Sequence, residues 1–260
     1  MSYNDDSGAR GLLGGRSAGA TGFAAQVIST LKDRQAVTRT GLRQIVVDAL
    51  MRDTLAPGAF DPALVLDALR GHRLRADALV DHYVPEAAAQ LGEMWLDDEI
   101  SFATVTIGAL RLQSLVRQAM QWDAAFDATG RSGARVLLIV PQGEQHFLGV
   151  TVLGAQLFRM GCEVETACDA SPDEVARRVR HDPPDIVMIS CSRPGALERV
   201  RQTVLSVRTA TPIMPAIAMG GAIRGDADDL RKRTGVDIVT NSAEKALALC
   251  ARDKKVLARR

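Results

Sequence analysis

Short apolar runs recur five times in the second half of the chain, at Val136 to Val140, Glu163 to Thr166, Ile186 to Ile189, Ile213 to Met219 and Ile238 to Val239, and a stretch of helical periodicity follows each. Strands this short and this apolar, alternating with helices, bury both faces only in a parallel sheet whose crossovers run over it on either side. Because such crossovers are right-handed, the pattern predicts a flavodoxin-like, doubly wound, five-stranded α/β domain over residues 133–260, with strand order 2-1-3-4-5. Helix starts agree with it. Ser171-Pro172-Asp173-Glu174 reads as a capping box with proline at N1, and Asn241 to Glu244 has similar spacing.

The texture before this domain is different. Residues 1–40, with Ser7-Gly8-Ala9-Arg10-Gly11 and a second glycine-rich run from Gly14 to Gly22, are too dilute in apolar side chains for a packed core and read as a flexible tail, with a short helix over Phe23 to Leu31. From residue 41 to 127 apolar residues fall at helical spacing. Asp61 followed by Pro62 is an N-cap signal, and Ser101 precedes Phe102, Val105, Ala109, Leu112, Val116 and Met120. Helices over 41–54, 61–70, 74–95 and 102–125 make a four-helix bundle, joined to the α/β domain through the turn-rich Thr129-Gly130-Arg131-Ser132-Gly133.

Thirty-two basic against 31 acidic side chains exclude a broadly polybasic nucleic-acid binder. No apolar stretch approaches the about 18 residues of a membrane span, and the first residues carry no export signal. Cys162, Cys168, Cys191 and Cys250 form no metal-spaced pair and read as small core residues of a reduced, cytoplasmic protein. Only four histidines are present, so a metal or cofactor site has few parts to draw on.

Ligands of open α/β sheets bind beyond the carboxyl ends of the strands. Three unusual segments fall there: Glu144-Gln145-His146-Phe147-Leu148-Gly149 after the first strand, Ser190-Cys191-Ser192 at the end of the third, and Gly220-Gly221 at the end of the fourth. Forty residues separate Gly149 from Ser190 and 27 separate Ser192 from Gly220. In order and spacing they resemble the cobalamin-binding domains, whose pattern is Asp-x-His-x-x-Gly, Ser-x-Leu and Gly-Gly. Glu144 stands where that family has aspartate, and Ser192 where it has leucine.

The resemblance implies cobalamin as cofactor, its upper ligand (adenosyl, methyl or water) undetermined. It makes His146 the lower axial cobalt ligand and Glu144 the carboxylate that orients it. Gln145, Phe147 and Leu148 complete that loop, Gly149 leaves room for the displaced nucleotide tail, and Ser190, Ser192, Gly220 and Gly221 line the tail's channel.

Trp95-Leu96-Asp97-Asp98-Glu99-Ile100-Ser101 resembles the segment with which helical caps cover the upper corrin face in methionine synthase and the light-sensing cobalamin repressors. It adds Trp95, Phe102 and Val105 to the site, although Trp95 and Phe102 also suit a bundle core. Where those repressors carry an upper Glu-His pair, this chain has Val105-Thr106. The whole chain resembles the AerR/PpaA group of photosynthesis-gene regulators. That implies a light-responsive regulator without catalytic turnover, acting as an antirepressor on a partner repressor, with direct DNA binding and membrane attachment disfavoured. The alternatives from other classes are a corrinoid carrier of a methyltransferase system and a haem or redox sensor on the same fold. His72, His82, His181 and the arginines at 177, 178 and 180 read as solvated or capping residues.

Overall fold

The computed structural model describes residues 38, 40–121, 133–144 and 146–249. The glycine-rich tail with its helix at Phe23 to Leu31, the end of the fourth predicted helix, Gln145, Cys250 and the basic C-terminal residues lie outside the described residues. Packing separates residues up to Ala49 from those after it.

Helix α1 spans Gln44–Leu55 and α2 Pro62–Gly71. Asp61 caps α2, its Oδ1 accepting from the amides of Ala63 at 2.9 Å and Leu64 at 3.4 Å, while Pro62 fills a position whose N–H has no partner to lose. The third helix, α3, is composite: Ala76–Ala78, a π-helical turn Leu79–Tyr83, and Val84–Leu96. Its widened turn has a cause in the sequence. Pro85 has no N–H to give to the carbonyl of Asp81 and its ring crowds that carbonyl, so the chain takes a wider turn in which the Val84 amide reaches Leu79 O. Ser101 caps α4 (Phe102–Ala119), accepting from Thr104 N at 3.1 Å, and Leu112, Leu115, Val116 and Ala119 are buried on one face. Arg111 ties α4 to the α1–α2 connection, donating to the carbonyls of Thr54, Ala56 and Gly58 and lying 5.2 Å from the Phe60 ring centre.

The α/β part alternates β1 (Arg135–Pro141), α5 (Leu148–Arg159), β2 (Glu163–Ala170), α6 (Pro172–His181), β3 (Ile186–Ser190), α7 (Leu197–Ala210), β4 (Ala216–Gly220), α8 (Ala227–Thr234), β5 (Ile238–Val239) and α9 over 243–249. All four strand pairings are parallel, in the order β2-β1-β3-β4-β5. Alternate residues divide the core. Leu137, Ile139, Val187, Ile189, Ile217 and Met219 face α6, α7 and α8, whereas Val136, Leu138, Ile186, Met188, Ala216 and Ala218 face α5 and α9. The helices α3 and α4 pack against α5.

Four expectations change. β4 begins at Ala216 rather than Ile213, because Pro212 and Pro215 cannot donate to a ladder; Ile213 and Met214 are exposed. Asn241 does not cap the last helix: Ser242 does, its Oγ accepting from Lys245 N. Cys168 is exposed, because β2 is an edge strand with few buried side chains, while Cys162 and Cys191 are buried as expected. Trp95 and Phe102 are exposed rather than part of the bundle core.

Candidate functional site

The loop after β1 is fixed on both sides before it reaches its functional residues. Gly143, at φ +75°, donates its amide to the Asp169 carboxylate at 2.8 Å, and its carbonyl accepts from Arg193 at 2.8 Å. Glu144 follows, with its amide bonded to Pro141 O and its side chain almost wholly buried. One carboxylate oxygen, Oε1, lies 2.6 Å from His146 Nδ1. The other, Oε2, accepts from the Ser192 hydroxyl at 2.6 Å and from the Ser192 amide at 3.2 Å.

This arrangement settles the imidazole. A carboxylate receiving donors on both oxygens accepts from Nδ1–H, so the neutral ring keeps a lone pair on Nε2. The His146 side chain is 68% exposed against 2% for Glu144, so a hidden acceptor holds a ring that stands open at the carboxyl end of the sheet. Glutamate's extra methylene is accommodated because Ser192, at the end of β3, supplies two donors where the carboxylate arrives.

Beneath the sheet face that carries α5 lies a cavity of about 420 Å³. Small side chains create it: Gly149 on α5, Ala218 on β4, and Ala243 and Ala246 on α9 leave space that larger residues would fill. Ser190, Gly220 and Gly221 line it as well. At Gly221, φ is +124° and an added Cβ would sit 2.4 Å from Cys191 O, so only glycine lets these strand ends approach. Asn241 completes this corner. Its Oδ1 accepts from Gly221 N at 2.7 Å and its Nδ2 donates to Gly221 O at 3.1 Å, mimicking a paired peptide group. Nothing in the spacing of the three segments pointed to Asn241, whose signal in the sequence read as a helix cap.

The remaining predicted residues divide. Ser192 serves Glu144 rather than the cavity. Phe147 packs against the sheet core and lines a second space, of about 630 Å³, beside Phe158 and Cys168. Leu148 begins α5 and Val105 lies on α4, both half-buried. The rings of Trp95 and Phe102 meet at 6.1 Å between centres, tilted by 60°, and form an exposed aromatic pair at the α3–α4 turn. Between the two loops, burial pushes the Cys191 thiol pKa up against the lowering effect of its bond to Arg193 O, and the charge of Glu144 adds to the rise.

An exposed imidazole held by a buried acceptor, at the same end of the sheet as a cavity lined by apolar and polar side chains, fits a corrinoid whose nucleotide tail is inserted into the protein. The fold and site thus define a corrinoid-binding α/β protein with a helical cap. Residues 134–251 match the B12 binding domain family. An uncharacterized 20.5 kDa protein in the bchF-crtJ intergenic region of Rhodobacter capsulatus is 35% identical over 179 residues, which are 68% of this chain and 93% of that protein. Among solved structures, the monomethylamine corrinoid protein of Methanosarcina barkeri superimposes with a TM-score of 0.63 at 15% identity, covering 79% of this chain and 94% of that one, a likeness of fold. The chain belongs to the AerR/PpaA-type family of B12-binding-domain proteins, and its cofactor is a cobalamin. Among the described residues no helix is long and apolar enough to cross a membrane.

Proposed function

We propose that the protein is a cobalamin-dependent, light-responsive regulator that acts on a partner repressor as an antirepressor, without catalytic turnover and without binding DNA itself. The observation that carries this reading is the Glu144–His146 pair, a buried carboxylate holding an exposed imidazole beside a ready-made cavity, in a chain whose relative comes from the photosynthesis gene cluster. His146 would hold the cobalt through Nε2, as the lower ligand the resemblance implies. Glu144 and Ser192 hold its tautomer and direction. The cavity takes the nucleotide tail, with Ser190 and the Gly220–Gly221 turn at its rim. When bound, the cofactor supplies a cobalt centre whose upper bond responds to light or to ligand exchange. Trp95 and Phe102 form an exposed apolar pair on α3 and α4, the helices that rest on α5, and these helices would carry a change at the bound cofactor to the surface offered to the repressor.

The test loads the protein with cobalamin in the dark and records its absorption spectrum before and after illumination. His146→Ala is expected to lose the histidine-ligated spectrum and to weaken binding, and an unchanged spectrum and affinity defeat the ligation model. A gel shift with the repressor should then show release from DNA only when loaded protein is added. A shift produced by this protein alone would overturn the antirepressor reading.

A further inference from the structure

One wall of the cavity comes from the helical cap. Asp81 and Pro85 of α3 line it together with Leu153 and Gln156 of α5. Asp81 also bonds the cap to α5: Oδ1 accepts from Gln156 Nε2 at 3.1 Å, and Oδ2 pairs with the Arg159 guanidinium. Side-chain exposures of 23% for Asp81 and 19% for Arg159 take both partners of this pair largely out of water, where screening is weak. The π turn that Pro85 imposes is what carries Asp81 at this junction.

We propose that the cap reads the nucleotide tail of the cofactor: Asp81, with Gln156, is the polar wall of the tail cavity, and filling that cavity fixes α3 against α5. A nucleotide brings ribose hydroxyls as donors, and an acceptor-only carboxylate suits them. The inference rests on the tail entering this cavity, as in the reading above. It adds that the tail, and not the corrin alone, sets the position of the cap. Loss of the tail therefore frees the element through which a signal would pass.

The test uses the full chain with cobalamin and with cobinamide, the same corrin lacking the nucleotide. Backbone hydrogen exchange across 79–96 and 148–159 is followed by mass spectrometry. Cobalamin is expected to slow exchange in 79–96 about tenfold more than cobinamide does, the scale of one charge-assisted hydrogen bond. Asp81→Asn keeps the shape, removes the charge, and should abolish that difference; the wild-type comparison decides alone if the variant does not fold. Equal protection by the two ligands, or a difference that survives Asp81→Asn, overturns the proposal. The ligation reading is judged separately by the His146→Ala spectrum, which carries no information on the cap.

Discussion

Replacing Glu144 by glutamine tests whether the carboxylate sets the histidine tautomer or merely fills space. The Ser192 amide is a fixed donor 3.2 Å from Oε2, so an oxygen must stay at that position. The glutamine nitrogen is then forced to the Oε1 position, 2.6 Å from His146 Nδ1 in the wild type. An amide nitrogen donates, so Nδ1 must accept and the ring proton moves to Nε2, which occupies the lone pair needed for ligation. Recovering the ligating tautomer sets N–H against N–H and forfeits a charge-assisted hydrogen bond, about 1.5–3 kcal/mol. That corresponds to a loss of about 10- to 150-fold in affinity, in line with the about 10- to 100-fold seen when outer partners of ligating histidines are removed. The variant keeps the volume of the site and relieves it of a buried charge, so the thermal stability of the cofactor-free protein should hold or rise. Spectrophotometric titration with aquocobalamin gives Kd and the histidine-ligated fraction together. Wild-type affinity with a wild-type spectrum would show that Glu144 does not control the ring.

Four further outcomes follow from the same geometry. Gly221→Ala combines a φ that L residues rarely adopt with a Cβ 2.4 Å from Cys191 O, and should lower stability by at least ~2 kcal/mol in urea denaturation. Among Cys162, Cys168 and Cys191, alkylation of the native protein should modify the exposed Cys168 first. Since burial raises the Cys191 pKa above its ordinary 9.0, the folded state holds that proton more tightly than the unfolded chain, so its contribution is constant below pH 9.0 and stability falls as pH climbs past it; Cys191→Ser should flatten that decline in alkaline melts. Ser192→Leu should weaken cobalamin binding roughly tenfold in the wild-type background and much less when Glu144→Asp accompanies it, a coupling readable in a double-mutant cycle.

The strands, their order and the three loop segments were legible because each rests on a local rule: apolar runs for parallel strands, Asp61, Ser101 and Ser171 for helix starts, glycines where backbones must approach. All three caps appear with their side chains on the expected amides. What escaped the sequence depends on where separate segments meet. Asn241 has the spacing of a helix cap, yet its amide is drawn to Gly221, twenty residues away, whose peptide needs a partner at the rim of the cavity. The π turn was readable in principle, since Pro85 lies inside a predicted helix. Its consequence was not, because the pairing of Asp81 with Arg159 spans 78 residues and appears only once α3 lies on α5. Cys168 misled for a related reason. An apolar neighbourhood in sequence says nothing about which strand becomes the edge.

The two places where the chain departs from the cobalamin-domain pattern turn out to be one feature. Glutamate in place of aspartate carries its carboxylate one methylene further from the β1 loop, toward the end of β3. There leucine would take away the Ser192 hydroxyl that Oε2 accepts from, inside a site the Glu144 side chain shares almost not at all with water. Serine at 192 supplies a hydroxyl at 2.6 Å from that oxygen. Each substitution alone is a defect, since a buried carboxylate oxygen short of donors costs more than the bond it fails to make. Together they rebuild an acceptor held by two loops, with its other oxygen on His146 Nδ1. The loop that carries His146, clamped to β3 in this way, has its imidazole direction set by the sheet itself.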